Sequence, residues 1–224
     1  MSSTASHEAP ASLLLSLLVA LATIVVIVGA ATVAFYNPPW IHFAQGRADV
    51  PAITGYSPEE VRAATGSILA DLFFGPPEYA VEIDGQPVLG PAERAHMVNV
   101  RGVVLPFAGL FVAVTVLLAA IVVANRDRAW VWRAVGRGAA ALVLVAIVIG
   151  IAVVLFFDAA FLLFHLTFFP KGNFMFDPRT QRLVQLFPEQ FWIESATGLV
   201  IVALALAIAV TLGSRRLARR APRP

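Results

Sequence analysis

Four long apolar stretches decide what this chain can fold into. They run from Leu13 to Phe35, from Gly102 to Ala124, from Gly138 to Phe157 with a helical-looking extension to Phe169, and from about Phe191 to Leu212. A hydrocarbon layer about 30 Å thick needs about 20 residues of helix rising 1.5 Å each, because lipid offers no partner to a bare N–H or C=O. The expected fold class is therefore an all-α polytopic membrane protein: four transmembrane helices with a small extracytoplasmic cap between the first and second. A hydrophobic fraction of 59% against 13% charged residues lies outside the soluble range and agrees. Pro106, near the start of the second stretch, predicts a kink there.

Arginine placement sets the expected orientation, since short basic loops stay cytoplasmic. Arg126, Arg128, Arg133 and Arg137 follow the second span, and Arg215, Arg216, Arg219 and Arg220 follow the fourth. The chain then divides into a cytoplasmic tail (1–12), spans at 13–35, 102–124, 138–169 with its outer extension, and 191–212, an outer cap (36–101), a basic inner loop (125–137), an outer loop (170–190) and a basic inner tail (213–224). Both termini are then expected in the cytoplasm. A cleaved signal peptide is the alternative for the first stretch, given Ala30, Ala31 and Ala34, but it lacks a basic leader and exceeds the usual apolar core of about 7–15 residues. The basic residues exceed the acids by only two and sit beside apolar runs, so they read as topology signals and not as a nucleic-acid surface. With no cysteine, thiol-based acyl transfer, disulfides and iron–sulfur clusters are excluded.

Between the first two spans proline, glycine and charge return. Ser57-Pro58-Glu59-Glu60 has the form of a capping box with proline at the first helical position. Val61, Ala64, Ile68, Leu69 and Leu72 continue that helix at amphipathic spacing up to Gly75-Pro76-Pro77. Tyr79, Val81 and Ile83 alternate with polar residues before Asp84-Gly85, which predicts a hairpin returning through Val88 and Leu89. A cap so small is expected to lean on the outer ends of the spans.

Helix rise brings two histidines to one height. Gly90-Pro91-Ala92-Glu93 looks like a helix start, and a helix unbroken from there puts His96 about 43 Å from Asn125. Counted up from Gly138 on the antiparallel neighbour, His165 stands about 41 Å from the inner side. Both rings then fall in the outer headgroup and glycerol zone. Glu93, three residues before His96, and Asp158, seven before His165, share a helix face with their histidines. Bland readings stand beside these. In one, each histidine is merely tolerated at the interface, Glu93 complements a helix dipole and Asp158 pairs with an outer arginine. A metal held by the two histidines and a carboxylate lacks the tight ligand spacing such sites show. His42 reads as interfacial and His7 as part of a tail. Phe161, Phe164, Phe168 and Phe169 read as packing or headgroup-level anchors. No nucleophile elbow and no phosphate-binding loop occurs.

The run Glu93-Arg94-Ala95-His96-Met97-Val98-Asn99-Val100-Arg101 resembles the Glu-x-x-His-Met motif of the bacterial lipoprotein intramolecular transacylases. A second run is similar to that family's other signature: Phe157-Asp158, Phe161, Phe164-His165, Phe168-Phe169, Asn173, Phe176-Asp177-Pro178 and Leu186-Phe187-Pro188. The resemblance implies a cofactor-free enzyme that moves the sn-2 acyl chain of a diacylglyceryl-cysteine lipoprotein onto the cysteine's own α-amino group, leaving a lyso form. It implies catalytic roles for His96 and His165, orienting roles for Glu93, Asp158 and Asn99, and outer-loop support from Asn173 and Asp177. Asn99 stands where the motif has an aspartate, and Gln181 where an acidic residue is common. The expected partners are diacylglyceryl lipoproteins and membrane lipid, with no nucleic acid and no metal.

The chemistry suits these residues. An α-ammonium of pKa about 8 must lose its proton before attacking an ester, and an imidazole of pKa about 6.5 is a fitting base. Two rival readings are a non-catalytic assembly or chaperone subunit with a partner-binding cap, and a small transporter component, for which Asp158 alone inside a span makes a poor pathway.

Overall fold

The computed structural model describes residues 13–170, 172 and 174–222. Its helices are α1 (Leu13–Val33), α2 (Pro38–Arg47), α3 (Val50–Thr54), α4 (Pro58–Phe73), α5 (Pro91–Ala124), α6 (Ala129–Leu155), α7 (Phe157–Phe168), α8 (Arg182–Leu186) and α9 (Glu189–Arg220), with a hairpin of β1 (Glu82–Ile83) and β2 (Gln86–Pro87) between α4 and α5. Among the described residues, α1, α5, α6 and α9 are long and apolar enough to cross a membrane. The chain folds as two compact units, and each of these four helices contributes to both.

One unit comprises the described residues 13–31 together with 110–148 and 201–222. Val19 of α1, Leu118 of α5 and Val131, Ala134 and Val135 of α6 form one buried cluster. Ile27, Ala139, Leu142, Ala146 and Ala207 form another. Small residues set the spacing, as expected where helix association in lipid rests on close backbone approach. A Cβ on Gly138 would collide with the Ala20 carbonyl, and one on Gly136 would stand 2.6 Å from Ser214 Oγ.

The other unit, residues 32–109 and 149–200, holds the cap. Asn37 caps α2, its side-chain oxygen accepting from the Trp40 N–H. Ser57 and Glu60 form the expected reciprocal capping box at the start of α4. Asp84 and Gly85 both adopt positive φ, 50° and 71°, which is the type I′ geometry that a two-residue Asp-Gly loop favours. Strands of two residues are marginal alone. The hairpin holds because Val81, Val88 and Leu89 bury against Val61, Ala64, Ile68 and Leu72 of α4, with Met97 of α5 and Leu183 and Leu186 of α8 in the same cluster. Gln45 crosses this core, donating to Thr65 Oγ1 and the Leu186 carbonyl. An Arg47–Glu194 ion pair at 3.0 Å and a Trp40 to Ser195 hydrogen bond tie α2 to the start of α9.

Two expectations need correction. The third stretch is not one helix with an extension: it breaks at Phe156, whose backbone leaves helical geometry at φ −138° and ψ 44°, and α7 starts afresh. Asp158 therefore lies in the first turn of a new helix, where a carboxylate complements the exposed N–H groups, and not inside a span. Helices α2, α3 and α8 were also not foreseen. The helix through Pro106 runs on as a single element of 34 residues.

Paired glycine substitutions probe this packing. Gly138→Ala, forced against backbone that cannot yield, is expected to lower the thermal midpoint in detergent. Gly66→Ala, with open space around its Cβ on α4, should raise stability by up to about 1 kcal/mol.

Candidate active site

The two histidines meet in the cap unit. His96, on the second turn of α5, is buried at 6% exposure, and His165, in the last turn of α7, is half-buried. Their ring centroids lie 6.2 Å apart with planes 19° from parallel. Phenylalanines close around the pair. Phe169 touches both rings, at 4.9 Å from His96 and 5.6 Å from His165. Phe161 lies 4.0 Å and Phe164 5.4 Å from His165 on its own helix. The loop after α7 returns Phe174 to 4.9 Å from His165 and Phe176 to 5.5 Å from His96, while Met175 between them points outward at 77% exposure.

A hydrogen bond fixes the state of His165. Its Nδ1 lies 2.8 Å from the carbonyl oxygen of Phe161, one turn earlier. A carbonyl only accepts, so Nδ1 carries the proton, and in the neutral ring the lone pair is on Nε2. Burial among the phenylalanines holds the His165 pKa below its ordinary value, opposed by that hydrogen bond. His42, on α2, is also shifted down, by burial and then by the charge of Arg62.

Glu93 is buried at 4% exposure, and its two oxygens accept from backbone: Oε2 from the Gly90 N–H at 2.6 Å and Oε1 from the Leu183 N–H at 2.7 Å. One side chain thus closes the start of α5 and fastens α8 to it. Asp177 organises the turn leading into α8. Its carbonyl accepts from Thr180 and Gln181, its carboxylate accepts from the backbone and guanidinium of Arg179, and the Gln181 side chain accepts from its N–H. The Arg179 hydrogen bonds hold the Asp177 carboxyl below its usual range.

Other expected residues are not drawn in. Asp158 is exposed, and Asn99 is half-buried; neither makes a side-chain hydrogen bond among the described residues. Asn173 and His7 lie outside the described residues. Phe176 stands in the second motif with no role assigned to it, and Phe174 is not singled out by the sequence, because loop residues carry no periodicity.

A family model described as lipoprotein intramolecular transacylase Lit matches residues 16–192. The chain belongs to this family. Among solved structures, the membrane-integral Lit of Bacillus cereus superposes with a TM-score of 0.80 at 18% identity, covering 92% of this chain and 95% of that one. Variants of the Bacillus cereus Lit with a histidine changed to arginine or to alanine each superpose at a TM-score of 0.71 and 18% identity over 92% of this chain, covering 92% and 93% of theirs. At that identity the likeness is one of fold, and it agrees with a membrane-integral, multi-pass chain. No curated protein sequence matches.

Histidine titration tests the electrostatics of this Lit family member. Carbon-detected NMR of ring-labelled protein is expected to give His165 an apparent pKa below about 6.5. A value at or above that figure contradicts the aromatic enclosure.

Proposed function

We propose that His96 and His165 carry out the acyl transfer that membership of the Lit family assigns to this chain, moving the sn-2 acyl group of a diacylglyceryl-cysteine lipoprotein to that cysteine's α-amino nitrogen. The observation that carries this reading is the 6.2 Å pairing of the imidazoles inside a ring of phenylalanines. At that centroid separation the two imidazoles can flank one bound substrate, each bonding through an in-plane ring nitrogen.

The reaction needs the amine nitrogen to bond to the ester carbonyl carbon and the bond from that carbon to the glyceryl oxygen to break. The ammonium first gives up one proton to solvent to become nucleophilic, and a second passes to His165 as the amide forms, replacing through solvent the proton that His96 gives to the glyceryl oxygen. His165, with its Nε2 lone pair presented and its Nδ1–H held by Phe161, is the fitting base. His96 then stabilises the oxyanion and delivers a proton to the departing glyceryl oxygen, which ends as the free hydroxyl of the lyso product. Amine and ester belong to one substrate molecule, so holding them together removes the entropic cost of a bimolecular encounter, and the histidines need no cofactor to act. Glu93 acts as a positioning residue, fastening α8 and the loop that seats Phe174 and Phe176. Asp177 shapes the same loop.

The arginine distribution supports placing this site at the outer leaflet with both termini in the cytoplasm. The substrate ester would then lie in its own leaflet.

Expression in a host whose lipoproteins are diacylated, followed by mass spectrometry of a lipoprotein N-terminus, tests the proposal. Wild-type protein should yield the N-acylated lyso form, and His96→Ala and His165→Ala should each reduce it at least about a hundredfold. Unmodified lipoprotein beside well-expressed wild-type protein would refute it. Glu93→Gln keeps one acceptor of two and should lose part of the activity, while Glu93→Ala loses more and lowers the thermal midpoint.

A further inference from the structure

Phe74 is the most exposed large apolar side chain among the described residues, at 90%. Single apolar residues on a surface are ordinary, but this one closes a chain of aromatic contacts. Its ring lies 6.1 Å from Phe73, the last residue of α4, and Phe73 meets Tyr36 edge-on at 6.3 Å. Tyr36 is itself 40% exposed and stands three residues past Val33, where α1 ends.

On its other side the same segment is fastened to α5. The Arg101 guanidinium donates to the carbonyls of Asp71 and Gly75, the second at 2.6 Å. Arg101 immediately precedes the apolar stretch that begins at Gly102. Two helices able to cross a membrane therefore hold residues 71–75 between them, α1 where it stops and α5 where its apolar stretch begins.

Part of this segment's backbone is provided for without water. The Ala70 carbonyl accepts from both Phe74 and Gly75, Arg101 takes two further carbonyls, and the next residues are Pro76 and Pro77, which have no N–H to leave unpaired. A helix end normally leaves four carbonyls for solvent. Here Ala70 and Asp71, two of the four, are taken inside the protein, and an end that leaves fewer carbonyls to water and bears a bare phenylalanine is suited to the interface, where polar headgroups meet the rest.

We propose that the C-terminal end of α4 is seated in the lipid interface, with Phe74 inserted among the glycerol and upper acyl groups of the leaflet where α1 ends and the apolar part of α5 begins. Tyr36 and Phe73 lie beside it at headgroup level, where aromatic side chains concentrate. The contact fixes the cap's depth. Counting helix rise back from Arg101, the backbone of His96 stands about 7.5 Å further along α5, away from its apolar stretch. An anchored α4 end would therefore hold the imidazole pair beside the ester-bearing layer of the bilayer.

The chain has no cysteine, so a single introduced one can be labelled uniquely. Phe74→Cys, Glu59→Cys near the opposite end of α4 and Leu117→Cys in the apolar part of α5 would each carry a nitroxide, in full-length protein reconstituted into phosphatidylethanolamine–phosphatidylglycerol vesicles. The ratio of oxygen to nickel-chelate accessibility should be several-fold higher at position 74 than at position 59 and approach that at 117. A ratio at 74 equal to that at 59 would overturn the proposal. So would spin–spin broadening at 74 that disappears on dilution with unlabelled protein, which would identify a second copy as the occupant. Unsubstituted protein gives an independent reading, with no dependence on how the labelled variants fold. A carbene-generating group on the upper acyl chain of the lipid should label the peptide containing residues 70–77, and absence of label there, beside labelled α5, would also overturn the proposal.

Discussion

A buried carboxylate holds the candidate site together. Burying a charge costs several kcal/mol unless hydrogen bonds replace its water, and Glu93 meets that condition with two backbone donors far apart in sequence, Gly90 and Leu183. Hydrogen bonds to an ionised acceptor are about twice as strong as neutral ones. The consequence is geometric: the start of α5 and the start of α8 are joined at one residue, a single turn from His96. The loop running from α7 into α8 is thereby held at its far end, and this loop supplies the phenylalanines that close over both imidazoles. Leu183 and Leu186 continue the attachment by entering the cap core.

The break at Phe156 is the second element on which the site depends. Phe156 keeps hydrogen bonds on both sides, donating to Ala152 and accepting from Ala160, so helical geometry is interrupted without the ladder being abandoned altogether. His165 then lies on a helix that begins afresh at Phe157, and the bond from its Nδ1 to Phe161 belongs to that short helix alone.

The spans, the capping box at Ser57, the Asp-Gly turn and the pairing of His96 with His165 were legible because each rests on a local rule: apolar length, side-chain capping, positive φ, helix rise. Helix rise alone brings the two histidines to one height only along a helix unbroken from Gly138 to His165; the break at Phe156 interrupts that run, although the rings do meet. Helix α3 contains five residues and α8 five, too short for periodicity to register. Glu93 was recognised as a helix-start carboxylate with a histidine on its face. Its second partner, ninety residues away at Leu183, leaves no local signature. Asp158 attracted attention as a charge inside an apolar run, and that reading failed because the run is two helices, with the aspartate at a terminus.

An aromatic enclosure also answers a chemical difficulty that the proposed reaction faces. Transfer of an acyl group to an amine competes with transfer to water, and imidazoles that activate one nucleophile can activate the other. Phenylalanines offer water no hydrogen bond, so Phe161, Phe169, Phe174 and Phe176 around the rings disfavour an ordered water at the ester. The same low polarity lowers the His165 pKa and so favours its neutral form. It also disfavours the substrate's ammonium relative to its neutral amine, which is the nucleophile. On this account the aromatic residues, which take no part in bond making, select amide formation over hydrolysis by controlling which neutral species can exist beside the ester.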